Sequence, residues 1–167
     1  MVLVTVHRRE NHGKRLEVIV NAIRDLAYRF PTHLFVIPVH PNPNVASIFA
    51  SLKKSPNIFL LQPLEYPQLV LIMKSAKLIL TDSGGIQEEA TAFGVPLIVL
   101  RYKTERVEGV ESGFAKLVGA DYQRILGESS QILTQDKQST RVHKPSPYGD
   151  GKASQKIENK IREFFNE

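Results

Sequence analysis

The sequence has no cysteine among its 167 residues, which excludes disulfide bonds and thiolate metal sites. It also lacks a long apolar run, because the one that opens at Met1 is too short for a signal peptide or a membrane span. We therefore predict a soluble, cytoplasmic protein. The length suits one domain with an ordinary core, so we predict a single domain over residues 1–167.

Signals of several catalytic classes are missing as well. The sequence has no Walker loop and no Gly-x-Ser-x-Gly elbow. The histidines show no paired spacing of the kind that metal sites use, so we predict no metal and no cofactor. They are His7, His12, His33, His40 and His143.

The charge balance is basic, with 22 Lys and Arg against 17 Asp and Glu and a formal net charge of +5. Such an excess favours anionic partners. The basic residues do not form a stripe with interleaved aromatics, which a nucleic-acid-binding module would be expected to show. We therefore predict a phosphorylated small molecule as the ligand, with neither a nucleic acid nor a membrane as partner.

Short apolar runs alternate with longer amphipathic ones, a pattern typical of βα units around a parallel sheet. We predict strands at residues 2–6, 34–39, 58–61, 77–81, 96–100 and 116–118, and helices at 15–30, 44–54, 66–76, 85–93, 121–133 and 152–165, with a loop at 135–151. Asn44 and Asp121 are candidate helix caps, and Gly94 suits a left-handed helix end. The predicted fold is a doubly wound, Rossmann-like α/β domain, in which ligands bind at the carboxyl ends of the strands.

The segment Asp82-Ser83-Gly84-Gly85 lies between a predicted strand and a predicted helix, at such a carboxyl end. Two glycines let the backbone approach an anion closely, and a helix start offers unpaired N–H groups and a partial positive charge. This combination predicts a phosphate site. The alternative is that Asp82 and Ser83 only cap the helix.

Other polar clusters follow predicted strands on the same edge. His7 and Arg8 follow the first strand, His40 follows the second, and Arg101 and Arg106 follow the fifth. Each cluster alone is equally compatible with a solvated loop. Their coincidence on one edge favours an anionic ligand, because guanidinium groups match phosphate oxygens.

Five motifs follow one another along the chain: Thr-Val-His-Arg-Arg-Glu-Asn at residues 5–11, Pro-Val-His-Pro-Asn-Pro at 38–43, Thr-Asp-Ser-Gly-Gly-Ile-Gln-Glu-Glu at 81–89, Thr-Glu-Arg at 104–106 and Pro-Tyr-Gly-Asp-Gly at 147–151. Their order and spacing resemble those of bacterial non-hydrolysing UDP-N-acetylglucosamine 2-epimerases. The resemblance implies an isomerase of cell-envelope polysaccharide biosynthesis with two Rossmann-like domains of the GT-B type. It also implies that this chain is the C-terminal domain and that its partner is an N-terminal domain or subunit.

The resemblance implies roles for individual residues. Ser83, Gly84 and Gly85 would bind the diphosphate of UDP, Glu89 the ribose and Arg106 the UDP portion, with His7 as the catalytic residue beside it. Arg8 and His40 match positions that form an allosteric site for a second UDP-N-acetylglucosamine in some members. The family reaction eliminates UDP to give 2-acetamidoglucal and then adds it back.

Two departures limit that expectation. Val107 stands where the family usually has proline, which would loosen the loop that places Arg106. The family's proton-transfer carboxylates belong to the N-terminal domain, so we predict little turnover by this chain alone. A non-catalytic UDP-sugar-binding or regulatory module and a GT-B glycosyltransferase fragment therefore remain alternatives. We also expect the last helix, with Ile157, Ile161, Phe164 and Phe165, to pack against the partner domain or to support a homodimer.

Overall fold

The structure, a computed structural model, describes residues 1–165. The strands are β1 (Val2–Thr5), β2 (Phe35–Pro38), β3 (Ile58–Leu61), β4 (Leu78–Thr81), β5 (Leu97–Val99) and β6 (Ala115–Leu117). The helices are α1 (Lys14–Arg29), α2 (Pro43–Phe49), α3 (Tyr66–Ser75), α4 (Gly84–Glu89), α5 (Val107–Glu111), α6 (Tyr122–Thr134) and α7 (Ala153–Phe164). Short 3-10 turns occupy Arg9–Asn11, Ala50–Leu52 and Ala90–Phe93.

The six strands form one sheet in the order β3-β2-β1-β4-β5-β6, with every neighbouring pair parallel. The strand order reverses between β1 and β4, which pair along their whole length from Val2–Leu78 to Thr5–Thr81. This point is the topological switch at which doubly wound sheets form a ligand crevice. The predicted doubly wound, Rossmann-like fold is therefore confirmed.

Both faces of the sheet are covered, which explains why its strands are continuous apolar runs rather than alternating ones. Along β1, Val2 and Val4 join the core that α1, α2 and α6 cover, whereas Leu3 joins the core beneath α3 and α4. All three side chains are fully buried. The sheet is thus a rigid support for the loops at its carboxyl edge.

One local prediction was wrong, one helix was not predicted, and two local predictions are confirmed. Helix α2 begins at Pro43, so its cap is Asn42 rather than Asn44: the Asn42 side chain accepts a hydrogen bond from the Asn44 amide, at 2.9 Å. Helix α5 was not predicted, because its five residues are too few to show a helical period. Asp121 caps α6, and Gly94 ends the turn after α4 with φ of 65°.

Residues 135–151, named here the strap, contain no strand or α-helix, as predicted for a loop. Basic side chains fix the strap to the domain by donating to carbonyl groups at helix ends, where cations also complement the helix dipole. Lys137 donates to Ser75 O at 2.8 Å, Arg141 to Phe93 O at 2.8 Å and Ala76 O at 3.1 Å, and Lys144 to Ser112 O at 3.1 Å.

Helix α7 follows the strap, close to its predicted bounds, and none of its side chains is buried. Its apolar side chains are more than half exposed: Ile157, Ile161, Phe164 and Phe165. An amphipathic helix with an uncovered apolar face is typical of a surface that packs against another domain. Within residues 1–165, no helix combines the length and the apolar character needed to cross a bilayer.

Candidate functional site

A cleft of about 470 Å³ opens at the carboxyl ends of β1, β2 and β4, beside the topological switch. Its wall is mostly apolar, with Leu64, Leu69 and Ile86 among the lining side chains. His7, His40 and Ser83 contribute polar groups from three of the loops that the sequence singled out, and Glu89 contributes one from the end of α4. An apolar cavity with a few convergent polar groups is the usual form of a small-molecule site.

The start of α4, named here the Gly84 cradle, lies beneath two arginine side chains. Ser83 is the N-cap, and its hydroxyl accepts a long hydrogen bond of 3.5 Å from the Ile86 amide. A Cβ atom built on Gly84 would lie 3.4 Å from both Cζ of Arg106 and a terminal nitrogen of Arg8. Two guanidinium groups therefore lie against the first turn of α4, and basic groups beside a helix start are suited to phosphate.

Hydrogen bonds to α4 hold Arg106 over this cradle. Its Nε donates to Glu88 at 2.7 Å, and its backbone amide donates to the Thr104 hydroxyl at 3.1 Å. That hydroxyl donates in turn to the side chain of Gln87 at 2.8 Å. The loop after β5 is thus fixed to the helix whose first turn forms the cradle.

Asp82 has a different role from the cap that the sequence allowed. It is fully buried and accepts hydrogen bonds from the His7 amide at 3.1 Å, the Arg8 amide at 2.9 Å and the Asn11 side chain at 3.0 Å. The carboxylate therefore ties the loop after β1 to the loop after β4. Because of this tie, His7 and Arg8 are fixed relative to Ser83 and Gly84.

His7 is half-buried in the cleft wall, with Nδ1 3.6 Å from the Asp82 carboxylate. Its ring stacks on that of His40, with 5.8 Å between centroids and 17° between planes. Burial lowers the pKa of His7, and the Asp82 charge opposes that effect only in part. The nearby His40 and Arg8 lower the pKa of His7 further. The imidazole is therefore neutral at neutral pH.

Glu89 lines the cleft from the end of α4. Its Oε2 atom is buried and has no hydrogen-bond partner among the described residues. Since buried polar atoms are rarely left unpaired, Glu89 is suited to accept hydrogen bonds from a bound ligand.

Arg101 does not face the cleft. It is buried, and it bonds to Glu10 at 2.6 Å and to Glu105 at 2.9 Å, so it joins the loops after β1 and β5. These carboxylates raise the pKa of Arg101, and hydrogen bonds from Arg101 lower the pKa of Glu105 to about 2. The expectation that Arg101 contributes to an anionic-ligand site is therefore wrong, because Glu10 and Glu105 already occupy its guanidinium group.

A second opening, of about 1200 Å³, lies between the strap and α7. It is larger than the cleft, but its basic residues are already engaged: Arg141 bonds to carbonyl groups and Lys156 to Asp150. The smaller cleft at the switch point is therefore the better candidate site. Among residues 1–165, no group of three or more His, Asp or Glu side chains is placed to hold a metal ion.

Known proteins are similar to this chain in sequence and in fold. A family model described as UDP-N-acetylglucosamine 2-epimerase matches residues 1–162. A relative of that name from Campylobacter jejuni is 44% identical over 160 residues, which cover 95% of this chain and 42% of the relative.

Two solved structures have the same fold. The UDP-GlcNAc 2-epimerase of Neisseria meningitidis bound to UDP-GlcNAc superposes with a TM-score of 0.90 at 41% identity, over 97% of this chain and 44% of that one. The S. aureus MnaA–UDP co-structure superposes with a TM-score of 0.88 at 40% identity, over 99% of this chain and 45% of that one. The chain thus spans less than half the length of these relatives and, as one Rossmann-like half of a GT-B-type architecture, it belongs to the UDP-N-acetylglucosamine 2-epimerase family.

Proposed function

We propose that this chain is the UDP-binding, C-terminal half of an isomerase that interconverts UDP-N-acetylglucosamine and UDP-N-acetylmannosamine. One observation carries the proposal: the Gly84 backbone lies under the guanidinium groups of Arg8 and Arg106, beside a cleft lined by the unpaired Oε2 of Glu89. A nucleoside diphosphate has phosphates that suit the two guanidinium groups and ribose hydroxyls that suit the unpaired Glu89 oxygen. Of the two solved relatives, one is bound to UDP-GlcNAc and the other is a co-structure with UDP.

In this proposal the diphosphate lies on the amides of Gly84 and Gly85 with the Ser83 hydroxyl, beneath Arg106. The two ribose hydroxyls donate to Glu89. Elimination of UDP concentrates negative charge on the diphosphate as the bond to the sugar breaks. Donors fixed in advance around that charge stabilise the transition state more than the ground state.

His7 is the proposed catalytic residue of this half. A neutral imidazole beside the diphosphate can donate a hydrogen bond to the departing UDP without the cost of burying a charge. Glu89 is the one carboxylate among the described residues that line the cleft, and the proposal assigns it to the ribose. Removal of the C2 proton is therefore assigned to the part of the relatives that this chain does not span.

The exposed apolar face of α7 fits the same proposal. The relatives contain a further half that this chain does not match, and that half is the proposed partner of Ile157, Ile161 and Phe164. A homodimer through the same face is the alternative. Sedimentation with and without the remaining half of a relative separates the two, because a homodimer that persists in its presence would contradict the proposal.

Calorimetric titration with UDP tests the binding site. We expect Ser83→Ala to weaken UDP binding about tenfold, and Glu89→Ala by about tenfold to a hundredfold, since bonds to a charged group are the stronger ones. Ser47→Ala and Glu17→Ala are matched controls, because both residues are exposed on helices away from the cleft. If the wild-type chain binds no UDP even with the remaining half of a relative, the proposal is wrong.

A mixture of this chain with the remaining half of a relative also distinguishes the functional alternatives. Epimerisation by this chain together with the remaining half of the Campylobacter jejuni relative supports the proposed isomerase. UDP binding without epimerisation, at saturating concentrations of both halves, favours a non-catalytic module. Transfer of the sugar to an acceptor in place of epimerisation favours a glycosyltransferase.

A further inference from the structure

Tyr148, in the Pro-Tyr-Gly-Asp-Gly motif at the end of the strap, reaches back to the loop that carries Arg106. Its hydroxyl accepts a hydrogen bond from the Gly109 amide at 3.0 Å and donates one to the Arg106 carbonyl at 3.2 Å. Burial raises the pKa of this hydroxyl, so it keeps its proton and stays a donor. One phenol oxygen thus joins the first residues of α5 to the segment that precedes them.

The bond to Gly109 replaces a missing helix cap. Arg106 is the N-cap residue of α5, and its side chain makes no capping bond. A usual cap residue would accept from the amide at the third helical position with its own side chain, which arginine cannot do because it has no acceptor. Since Tyr148 pairs that amide from outside, the Arg106 side chain is free to extend over Gly84.

Gly109 is matched to this contact. A Cβ atom at Gly109 would lie 2.8 Å from the Tyr148 hydroxyl oxygen, which is too close without a shift of the ring. The absence of a side chain at residue 109 therefore allows the phenol to reach both of its partners. Helical propensity alone would favour alanine at this position.

The strap makes a second link at the 3-10 turn that follows α4. The Thr91 hydroxyl donates to the Glu88 carbonyl at 2.6 Å, so the Ser146 hydroxyl, 2.6 Å from Thr91, is the donor in that pair. The Ser146 oxygen also accepts from the Tyr148 amide at 3.3 Å. Glu88 in turn holds Arg106 Nε. The motif is thus tied to both elements that fix Arg106.

We infer that Tyr148 is a positioning residue whose hydroxyl holds Arg106 over the Gly84 cradle through the start of α5. The inference rests on the proposed function, because it takes Arg106 as a ligand of the UDP phosphates. It assigns no contact with the ligand to Tyr148 itself. The strap thereby acts at the site although it lines no part of the cleft described above.

Titration of the whole chain with UDP tests the inference through a double-mutant cycle. We expect Tyr148→Phe to weaken UDP binding about tenfold in the wild-type background. In an Arg106→Ala background the same substitution should change affinity less than twofold, since Tyr148 acts only through Arg106. Tyr28→Phe, at an 87% exposed tyrosine, is the matched control and should leave UDP affinity unchanged.

Gly109→Ala separates positioning from stability. The new methyl group displaces the Tyr148 hydroxyl, so UDP affinity should fall about as far as in Tyr148→Phe. The same change raises helix propensity, so the thermal unfolding midpoint should fall less than it does in Tyr148→Phe. A purely structural role for Tyr148 would make affinity follow stability across the two variants.

The outcomes are distinct. If wild type binds UDP and Arg106→Ala weakens it while Tyr148→Phe does not, the inference is overturned and the proposed function stands. An equal loss from Tyr148→Phe with and without Arg106 also overturns it, since Tyr148 would then act elsewhere. If wild type binds UDP and Arg106→Ala leaves UDP affinity unchanged, the inference is overturned, because Arg106 is then not a ligand of the phosphates. If wild type binds no UDP in any mixture, the proposed function fails first and the inference falls with it.

Discussion

Replacing Asp82 with asparagine would keep the shape of the side chain and remove its charge. Three groups donate hydrogen bonds to that charged carboxylate. Asp82 is fully buried, and it accepts from the amides of His7 and Arg8 and from the side chain of Asn11. Asparagine has one acceptor oxygen where aspartate has two. The amide nitrogen of asparagine would face the His7 N–H as a second donor.

The magnitude follows from the change in acceptor. Hydrogen bonds to a charged group contribute roughly 1 kcal/mol more than neutral ones, so three bonds give a loss of about 3 kcal/mol. The lower cost of burying a neutral amide offsets part of this loss, which leaves about 2–3 kcal/mol. For a domain of this size such a loss lowers the thermal midpoint by roughly 5–10 °C.

Urea unfolding followed by circular dichroism measures this loss, with an unchanged m-value as the check that compactness is unaltered. Asp121→Asn is the matched control, because Asp121 caps α6 at the surface and asparagine caps about as well as aspartate. UDP affinity should fall in Asp82→Asn alone, since His7 and Arg8 lose their anchor. A destabilisation below about 0.5 kcal/mol, within the range of an ordinary surface substitution, would refute the reasoning.

Three further predictions concern pH and the loop before α5. The NMR titration of His7 should have its midpoint below the ordinary 6.5 and move up when UDP binds, because a diphosphate favours the protonated ring; an unmoved midpoint would place UDP away from His7. The pKa of Glu105 is lowered from 4.5 to about 2, so its contribution to stability is complete above pH 4.5 and is lost as pH falls toward 2. In Glu105→Gln the thermal midpoint should therefore depend less on pH over this range. A pH dependence equal to that of wild type would contradict this. Val107 is the first residue of α5 and half-exposed, so Val107→Pro should stabilise the chain by about 0.4–1 kcal/mol, whereas lower stability in urea unfolding would show that the loop resists proline.

Sequence reasoning succeeded where a signal is local or repeats along the chain. The alternation of short apolar runs with amphipathic ones predicts both the parallel sheet and the carboxyl edge at which the loops lie. Gly94 and Asp121 were placed correctly because a helix end depends on a few neighbouring residues. The predicted cap of α2 is two residues late, because the proline-rich segment indicates a loop although Pro43 is the first helical residue.

The missed features depend on partners far apart in the chain. The donors that surround Asp82 lie 71–75 positions before it, so the residue type alone could not separate a helix cap from a tie between two loops. The structural role of Arg101 could not be predicted, because its partner Glu10 is 91 positions away in the chain. The Tyr148 contact with Gly109 had no signal beyond a tyrosine in a glycine-containing motif. The roles assigned to Ser83, Glu89 and Arg106 stay predictions until binding is measured.

The position of β1 in the sheet has a consequence for how the chain is made. Among the six described strands, Val2–Thr5 leaves the ribosome before the others, but one of its two neighbours, β4, is synthesised only after β2, β3 and the helices between them. During that interval the β4 side of an apolar strand is unpaired, which is the state in which parallel sheets are prone to aggregate. The carboxyl ends of β1 and β4 also support the two halves of the cleft, so the ligand site is completed only when the sheet closes at its centre. Slow synthesis of residues 40–78 would therefore prolong the aggregation-prone stage more than slow synthesis of the strap would.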